Sequence, residues 1–124
     1  MDFNNNKAIY LQIAEYVCEH ILLGKWKLND KIPSVRELAV EMEVNPNTVM
    51  RTYELLQKQD IINNKRGIGF FLAEDSIANV NLYRKTAFIE DELPQLFRNI
   101  YLLDINFDEL KDRYQTFIKQ NFNA

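Results

Sequence analysis

Short polar and basic side chains are clustered in the stretch from Asn45 to Arg51. They are Asn45, Asn47, Thr48 and Arg51. Carboxamide, hydroxyl and guanidinium groups can hydrogen-bond base edges in the major groove of DNA, and they can also bind phosphates. If this stretch opens a helix, these side chains lie near its N-terminus, which is the end that a recognition helix inserts into the groove. The other interpretation is an ordinary solvated helix start, because Asn and Thr also favour helix caps.

The elements that must position these side chains begin with a short helix that starts after Ser34. Ser34 and Glu37 have the spacing of a capping box, in which each side chain hydrogen-bonds the backbone N–H of the other residue. Apolar residues then follow at helical spacing and predict one buried stripe, formed by Val35, Leu38, Ala39 and Met42.

A second short helix is predicted to begin at Asn45. Asparagine is a favoured N-cap, and Pro46 at the first helical position has no N–H that would be left without a partner. The buried stripe of this helix is Val49, Tyr53 and Leu56. Because Glu43 and Val44 alone connect the two helices, their axes must turn sharply, as in a helix-turn-helix.

A helix is predicted before this pair, and a β-hairpin after it. The first helix runs from Lys7 to about Leu23, with Gly24 as its C-cap. The hairpin joins Ile61-Ile62 to Phe70-Phe71-Leu72 through a loop whose tip should carry Lys65 and Arg66, followed by Gly67 and Gly69. This order of elements is that of a winged helix, whose hairpin lies along the minor groove or the DNA backbone. The alternative is a solvated hairpin with ordinary turn residues.

Residues 76–124 predict two further amphipathic helices. Pro94 should kink or divide the first of them, and Asn106 with Glu109 should cap the second. Two such helices cannot bury their apolar faces alone, so we expect residues 1–75 to form the winged helix and residues 76–124 to form a dimerisation region. The residues expected at the dimer interface are Phe88, Leu93, Phe97, Tyr101, Phe107, Tyr114 and Phe117. Packing within the chain is the alternative.

The composition of the 124-residue chain is that of a globular protein with one or two small domains. We find no apolar run of membrane-spanning length and no signal peptide, and therefore expect a cytoplasmic protein. A single Cys and a single His cannot build a metal site, and no catalytic constellation is visible, so we expect no enzyme, metal or cofactor. Cys18 should be a small buried residue. The net charge of −3 argues weakly against nucleic acid, although residues 31–72 carry six basic and five acidic side chains.

Several separate motifs occur in the order typical of one family. They are Ile9-Tyr10-Leu11-Gln12-Ile13, the stretch from Asp30 to Ala39, the stretch from Val44 to Val49, and Gly67-Ile68-Gly69. Together they resemble the DNA-binding domain of the GntR family of bacterial transcription regulators, over about residues 7–72. The tail is similar in length to that of the small YtrA-type subgroup. Pro46 departs from the pattern, because many members outside that subgroup place a polar side chain there.

The resemblance implies which residues meet double-stranded DNA. Arg36 would bind a phosphate or a base, the Asn45–Thr48 turn and Arg51 would face the groove, and the wing from Lys65 through Arg66 and Gly67 to Gly69 would touch DNA. We therefore predict a homodimeric regulator that binds a palindromic operator and represses its own operon, with a transporter operon as one candidate. The alternative is a winged helix that binds proteins. An effector is left open, and a pocket near Tyr83, Phe88 or Tyr101 would be its place.

Overall fold

The computed structural model of the protein describes residues 2–4 and 6–122, and its backbone is mostly helical. In chain order the elements are α1 (Ile9–Leu22), α2 (Val35–Met42), α3 (Pro46–Lys58), β1 (Ile62–Lys65), β2 (Gly69–Leu72), α4 (Ser76–Ala87), a π-helical segment (Phe88–Glu92), α5 (Leu93–Leu102) and α6 (Phe107–Asn121). Three helices followed by an antiparallel hairpin form a winged helix-turn-helix, and further helices come after it. The predicted fold class is confirmed.

The chain divides after Arg84 into two compact units, which differs from the predicted boundary at residue 75. Most of α4 belongs to the first unit because its side chains pack on and bond to the winged helix. Val80 is fully buried in the core of the winged helix, and the Asn79 carboxamide donates to the Asp60 carbonyl at 2.8 Å. Arg84 forms an ion pair with Glu15 of α1 at 3.3 Å. The assignment of residues 76–124 to dimerisation stays a prediction.

The core of the first unit lies between α1, α2 and α3. Its buried side chains include Ile13, Val17, Ile21, Leu38, Met42, Val49, Tyr53, Leu56, Ile61 and Ile62. The Tyr53 hydroxyl donates to the Pro33 carbonyl at 2.6 Å, which connects α3 to the segment before α2. Cys18 is fully buried in this core, as predicted, and burial is the main reason that the pKa of its thiol is raised to about 12.

The helices α1, α2, α3 and α5 end in the same way. Each is followed by one residue in the left-handed conformation, with φ between 53° and 72°: Gly24, Glu43, Asp60 and Asp104. In each case the next backbone N–H bonds back to the helix, as Val44 does to the Ala39 carbonyl at 3.0 Å, which is the Schellman arrangement. Gly24, which was expected to be the C-cap of α1, follows the cap residue Leu23 and takes the left-handed conformation. The left-handed conformation of Glu43, Asp60 and Asp104 could not be predicted from the sequence, because glycine is the usual residue at this position.

The hairpin pairs β1 with β2 in antiparallel register, from Ile62 opposite Leu72 to Lys65 opposite Gly69. Residues 31–32, which precede α2, pair with the edge of β2 that does not face β1. Lys31 forms a β-bridge with Phe71, and the neighbouring Ile32 N–H donates to the Phe70 carbonyl at 2.9 Å. The wing is thus bonded through β2 to the segment that precedes α2, and β1 follows α3 in the chain.

In the second unit, Pro94 lies in the first turn of α5, directly after the π-helical segment. The Leu93 N–H donates to the Phe88 carbonyl, five residues back. A proline cannot continue the α-helical bonding, so a wider turn before it keeps the backbone helical. At α6, Asn106 is the N-cap, as predicted, and accepts from the Asp108 N–H at 2.7 Å. The expected reciprocal bond from Glu109 is replaced by its pairing with Arg113 at 3.1 Å.

Candidate nucleic-acid interface

The start of α3 presents the polar side chains that the sequence analysis singled out. Asn45 is the N-cap, and its side-chain oxygen accepts from the Asn47 N–H at 2.8 Å. Asn47 and Arg51 are exposed and stand four residues apart, so they share one face of the helix, whereas Thr48 is half-buried. The opposite face is buried through Val49, Tyr53 and Leu56, as predicted. The buried face therefore fixes which side chains α3 presents outward.

Arg51 lies over the ring of Tyr10, a residue of α1. The guanidinium carbon is 3.9 Å from the ring centroid, within the range of a cation–π contact. The next residue of α3, Thr52, is fully buried, and its hydroxyl donates to the Tyr10 carbonyl at 2.8 Å. Tyr10 was not among the residues expected at the interface. It lies in the motif Ile9-Tyr10-Leu11-Gln12-Ile13, and neither spacing nor residue type indicates its contact with Arg51.

Arg36 is exposed at the second position of α2, where the sequence analysis placed it. Beside it the predicted capping box is confirmed: Ser34 N–H donates to the Glu37 carboxylate at 3.0 Å, and Glu37 N–H donates to the Ser34 hydroxyl at 3.1 Å. The bond from the Ser34 N–H to the carboxylate is the main reason that the pKa of Glu37 is lowered. Within the described part of the chain, the arginine–carboxylate ion pairs involve Arg84 and Arg113, so the charges of Arg36 and Arg51 stay unpaired.

The wing turns over Arg66, Gly67 and Ile68, and the Ile68 N–H donates to the Lys65 carbonyl at 2.9 Å. Gly67 has a φ of 78°, which glycine adopts without strain. Lys65 ends β1 and is the first residue of this turn, and its ammonium lies 4.2 Å from the centroid of the Phe71 ring. Arg66 follows it in the turn, and both side chains are exposed.

Gly69 leaves room for the side chain of Lys31, a basic residue that was not among the expected site residues. A Cβ at Gly69 would overlap the Lys31 side chain, at 2.5 Å from its Cε. The Lys31 side chain thus lies against Gly69, which pairs with Lys65 at the turn end of the hairpin. The close approach depends on strand pairing between Lys31 and Phe71, which cannot be inferred from either local sequence.

The wing and α3 form one connected structure. The rings of Tyr53 and Phe70 meet edge to face at 4.9 Å, and the backbone of Phe70 binds Ile32. Helix α3 and the wing are the two elements with which a winged helix contacts DNA. No cluster of potential metal ligands occurs among the described residues. No helix in the described ranges has the length and apolarity to span a membrane.

Comparison with known proteins agrees with this architecture. The profile of bacterial regulatory proteins of the gntR family matches residues 9–72. The HTH-type transcriptional regulator YhcF of Bacillus subtilis is 43% identical over 72 residues, which span 58% of this chain and 60% of YhcF, less than two thirds of its length. The HTH-type transcriptional repressor YtrA of the same organism is 33% identical over 112 residues, 90% of this chain and 85% of YtrA.

Solved structures extend the similarity beyond the winged helix. A protein from Bacteroides thetaiotaomicron assigned to the GntR family is 48% identical, with a TM-score of 0.77 over 91% of this chain and 98% of that one. AraR(DBD) in complex with operator ORR3 is 26% identical, with a TM-score of 0.53 over 59% of this chain and 88% of that one. This chain therefore belongs to the GntR family of bacterial regulatory proteins, and it is a transcriptional regulator with a DNA-binding winged helix.

Proposed function

We propose that the protein is a cytoplasmic repressor that binds a palindromic operator of its own operon as a homodimer. The observation that carries this proposal is the exposed face of α3, where Arg51 stands beside Asn47 without a carboxylate partner among the described residues. A guanidinium in this state is free to bind guanine through two hydrogen bonds. YtrA, which is similar over most of its length, is named a repressor, and this supports the sign of regulation.

In this proposal the contacts divide between those that position the protein and those that read sequence. Arg36, Lys65 and Arg66 bind phosphates, and the wing backbone at Gly67 and Gly69 approaches the duplex closely. Base edges are read by the start of α3, through Asn45, Asn47, Thr48 and Arg51. With ~3–5 phosphates bound by each protomer, and about −0.9 in the log–log salt slope for each phosphate, affinity falls steeply as salt rises.

The homodimer is supported by the second unit, whose helices leave large aromatic rings exposed in the single chain. Tyr101 is 83% exposed, Tyr114 is 64% exposed and Phe117 is 56% exposed. Phe88, Phe97 and Phe107 are also exposed, whereas Leu93 is half-buried. Exposed aromatic patches of this kind mark interaction sites, and a second copy would place two α3 helices on the two halves of a palindrome.

The test is fluorescence anisotropy with a duplex from the promoter of the protein's own operon and with a random duplex of equal length. Wild-type protein should bind the promoter more tightly at moderate salt. Arg51→Ala should cost roughly 1–3 kcal/mol on the promoter and relax the preference at one base pair. Arg113→Ala is the matched control, because Arg113 pairs with Glu109 in α6 and should leave DNA affinity unchanged.

The competing function is a winged helix that binds another protein, and the net negative charge of the chain favours it. Equal affinity of the wild type for promoter and random duplexes would exclude an operator in that promoter. A uniform loss in Arg51→Ala across all sequences would instead identify Arg51 as a phosphate contact, because phosphates carry no sequence information.

A further inference from the structure

We infer that Tyr10 is a positioning residue for DNA recognition, because its ring holds the Arg51 guanidinium in place before DNA arrives. The inference rests on the proposed role of Arg51. It concerns a residue of α1, which is not the helix that would read the groove. Tyr10 would act through Arg51 and need not touch DNA itself.

The contacts hold Tyr10 from two sides. Its ring lies under the Arg51 guanidinium at 3.9 Å, and its carbonyl accepts from the hydroxyl of Thr52 at 2.8 Å. Thr52 is fully buried, and its hydroxyl also lies 3.3 Å from the Thr48 carbonyl. Two consecutive residues of α3 therefore contact one residue of α1. The backbone of Tyr10 is therefore bonded to α3 directly beside Arg51, and its half-buried ring lies under the guanidinium.

Stacking on a ring has a consequence that an ion pair would not have. A guanidinium carries its N–H donors in its own plane, so a partner on its face leaves those donors unoccupied. A carboxylate partner would occupy two donors, which are the ones that guanine requires. The ring also restricts the rotamers of Arg51 before binding, so less side-chain entropy is lost in the complex. Tyr10 thus preorganises Arg51 without competing with a base.

The first measurement tests the contact in the free protein. By NMR, the side-chain protons of Arg51 should show an upfield ring-current shift in the wild type and in Tyr10→Phe. That shift should be absent in Tyr10→Leu. Tyr16→Leu is the matched control, because Tyr16 is a half-buried tyrosine of the same helix that stacks on His20 instead, with centroids 4.1 Å apart. Absence of the shift in the wild type would overturn the inference, whatever the DNA affinity.

The second measurement is anisotropy with promoter and random duplexes, supported by thermal unfolding to show that each variant is folded. Tyr10→Leu should lower promoter affinity about 3–10-fold, a loss expected from one cation–π contact and its preorganisation, with little change on random DNA. Tyr10→Phe should retain wild-type affinity. In the Arg51→Ala background, Tyr10→Leu should have no further effect, because Tyr10 acts through Arg51.

The outcomes separate this inference from the proposed function. Equal wild-type affinity for promoter and random DNA would contradict the operator proposal, and the role of Tyr10 would fall with it. If Arg51→Ala loses promoter affinity and Tyr10→Leu does not, the operator proposal stands and the inference fails. If Tyr10→Phe loses as much as Tyr10→Leu, the hydroxyl carries the effect. The ring would then not be the positioning element.

Discussion

Asn45 combines a structural task with its proposed place at the DNA surface. Its side-chain oxygen accepts from the Asn47 N–H at 2.8 Å, so the side-chain NH₂ is the group left to donate to a base. Asn45→Ala should reduce the free energy of unfolding by about 1 kcal/mol, because the cap is lost. Asn45→Asp should unfold like the wild type, since aspartate caps equally well, but its charge should repel phosphates and weaken binding to every duplex. Urea unfolding and anisotropy measure the two effects. Wild-type affinity in Asn45→Asp would place this residue away from DNA.

Cys18 makes stability depend on alkaline pH. Burial, with a smaller effect from Glu15, raises the pKa of its thiol from 9.0 to about 12. In the folded state the thiol stays protonated at pH values at which it ionises in the unfolded chain. The contribution of Cys18 to the free energy of unfolding is therefore complete below pH 9 and is lost as the pH rises toward 12. The loss should be about 1.4 kcal/mol for each pH unit above 9.

Urea titrations at several pH values measure this dependence, and Cys18→Ala should show a smaller slope. Tyr53 contributes in the same direction in both proteins, because burial also raises the pKa of its hydroxyl. A slope in Cys18→Ala equal to that of the wild type would mean that the thiol does not ionise on unfolding.

At this scale, the sequence predicted contacts between near neighbours and missed those between distant ones. The caps at Ser34 and Asn45 each join residues within one turn, so residue type and spacing are sufficient to predict them. Tyr10 and Arg51 are far apart in the chain, and their contact depends on how α1 packs against α3. Lys31 likewise reaches Gly69 only through strand pairing with Phe71.

At the scale of elements, the turn between α2 and α3 has an unusual residue. Glu43 adopts a φ of 56°, a conformation that costs a non-glycine residue about 1–2 kcal/mol. Glu43→Gly should therefore raise the free energy of unfolding by about 0.5–1 kcal/mol, after the entropic cost of glycine is subtracted. Glu43→Ala is the control, because it keeps the Cβ and hence the strain. Equal stabilisation in both variants by thermal unfolding would attribute the effect to removal of the charge.

The ends and interruptions of the helices were less predictable than their existence. Apolar periodicity indicated α1, α2 and α3 correctly, since one buried face defines each of them. Pro94 was expected to kink or divide a helix, and a π-helical segment separates α4 from α5 directly before the turn that contains this proline. That choice depends on small differences in bonding around a single turn, which residue type alone does not decide.

At the scale of the whole molecule, we expect the exposed aromatic face of α6 to form the dimer interface on which tight operator binding depends. Tyr114 is 64% exposed and shares a face with Phe107 and Phe117, whereas Thr116 lies on the other side of the helix. Tyr114→Glu should place a charge in the proposed dimer interface and shift the protein to monomers in analytical ultracentrifugation. Thr116→Glu introduces the same charge and should leave the wild-type dimer intact.

The same variants test whether DNA recognition needs two copies. Monomeric Tyr114→Glu keeps an intact winged helix, so its affinity for a single half-site should equal that of the wild type. Its affinity for the full palindrome should fall by about 100-fold or more, because the second half-site no longer gains from the high effective concentration within a dimer. If Tyr114→Glu is monomeric and still binds the palindrome as tightly as Thr116→Glu, recognition does not depend on the dimer. If both variants remain dimeric, the interface lies elsewhere on the chain.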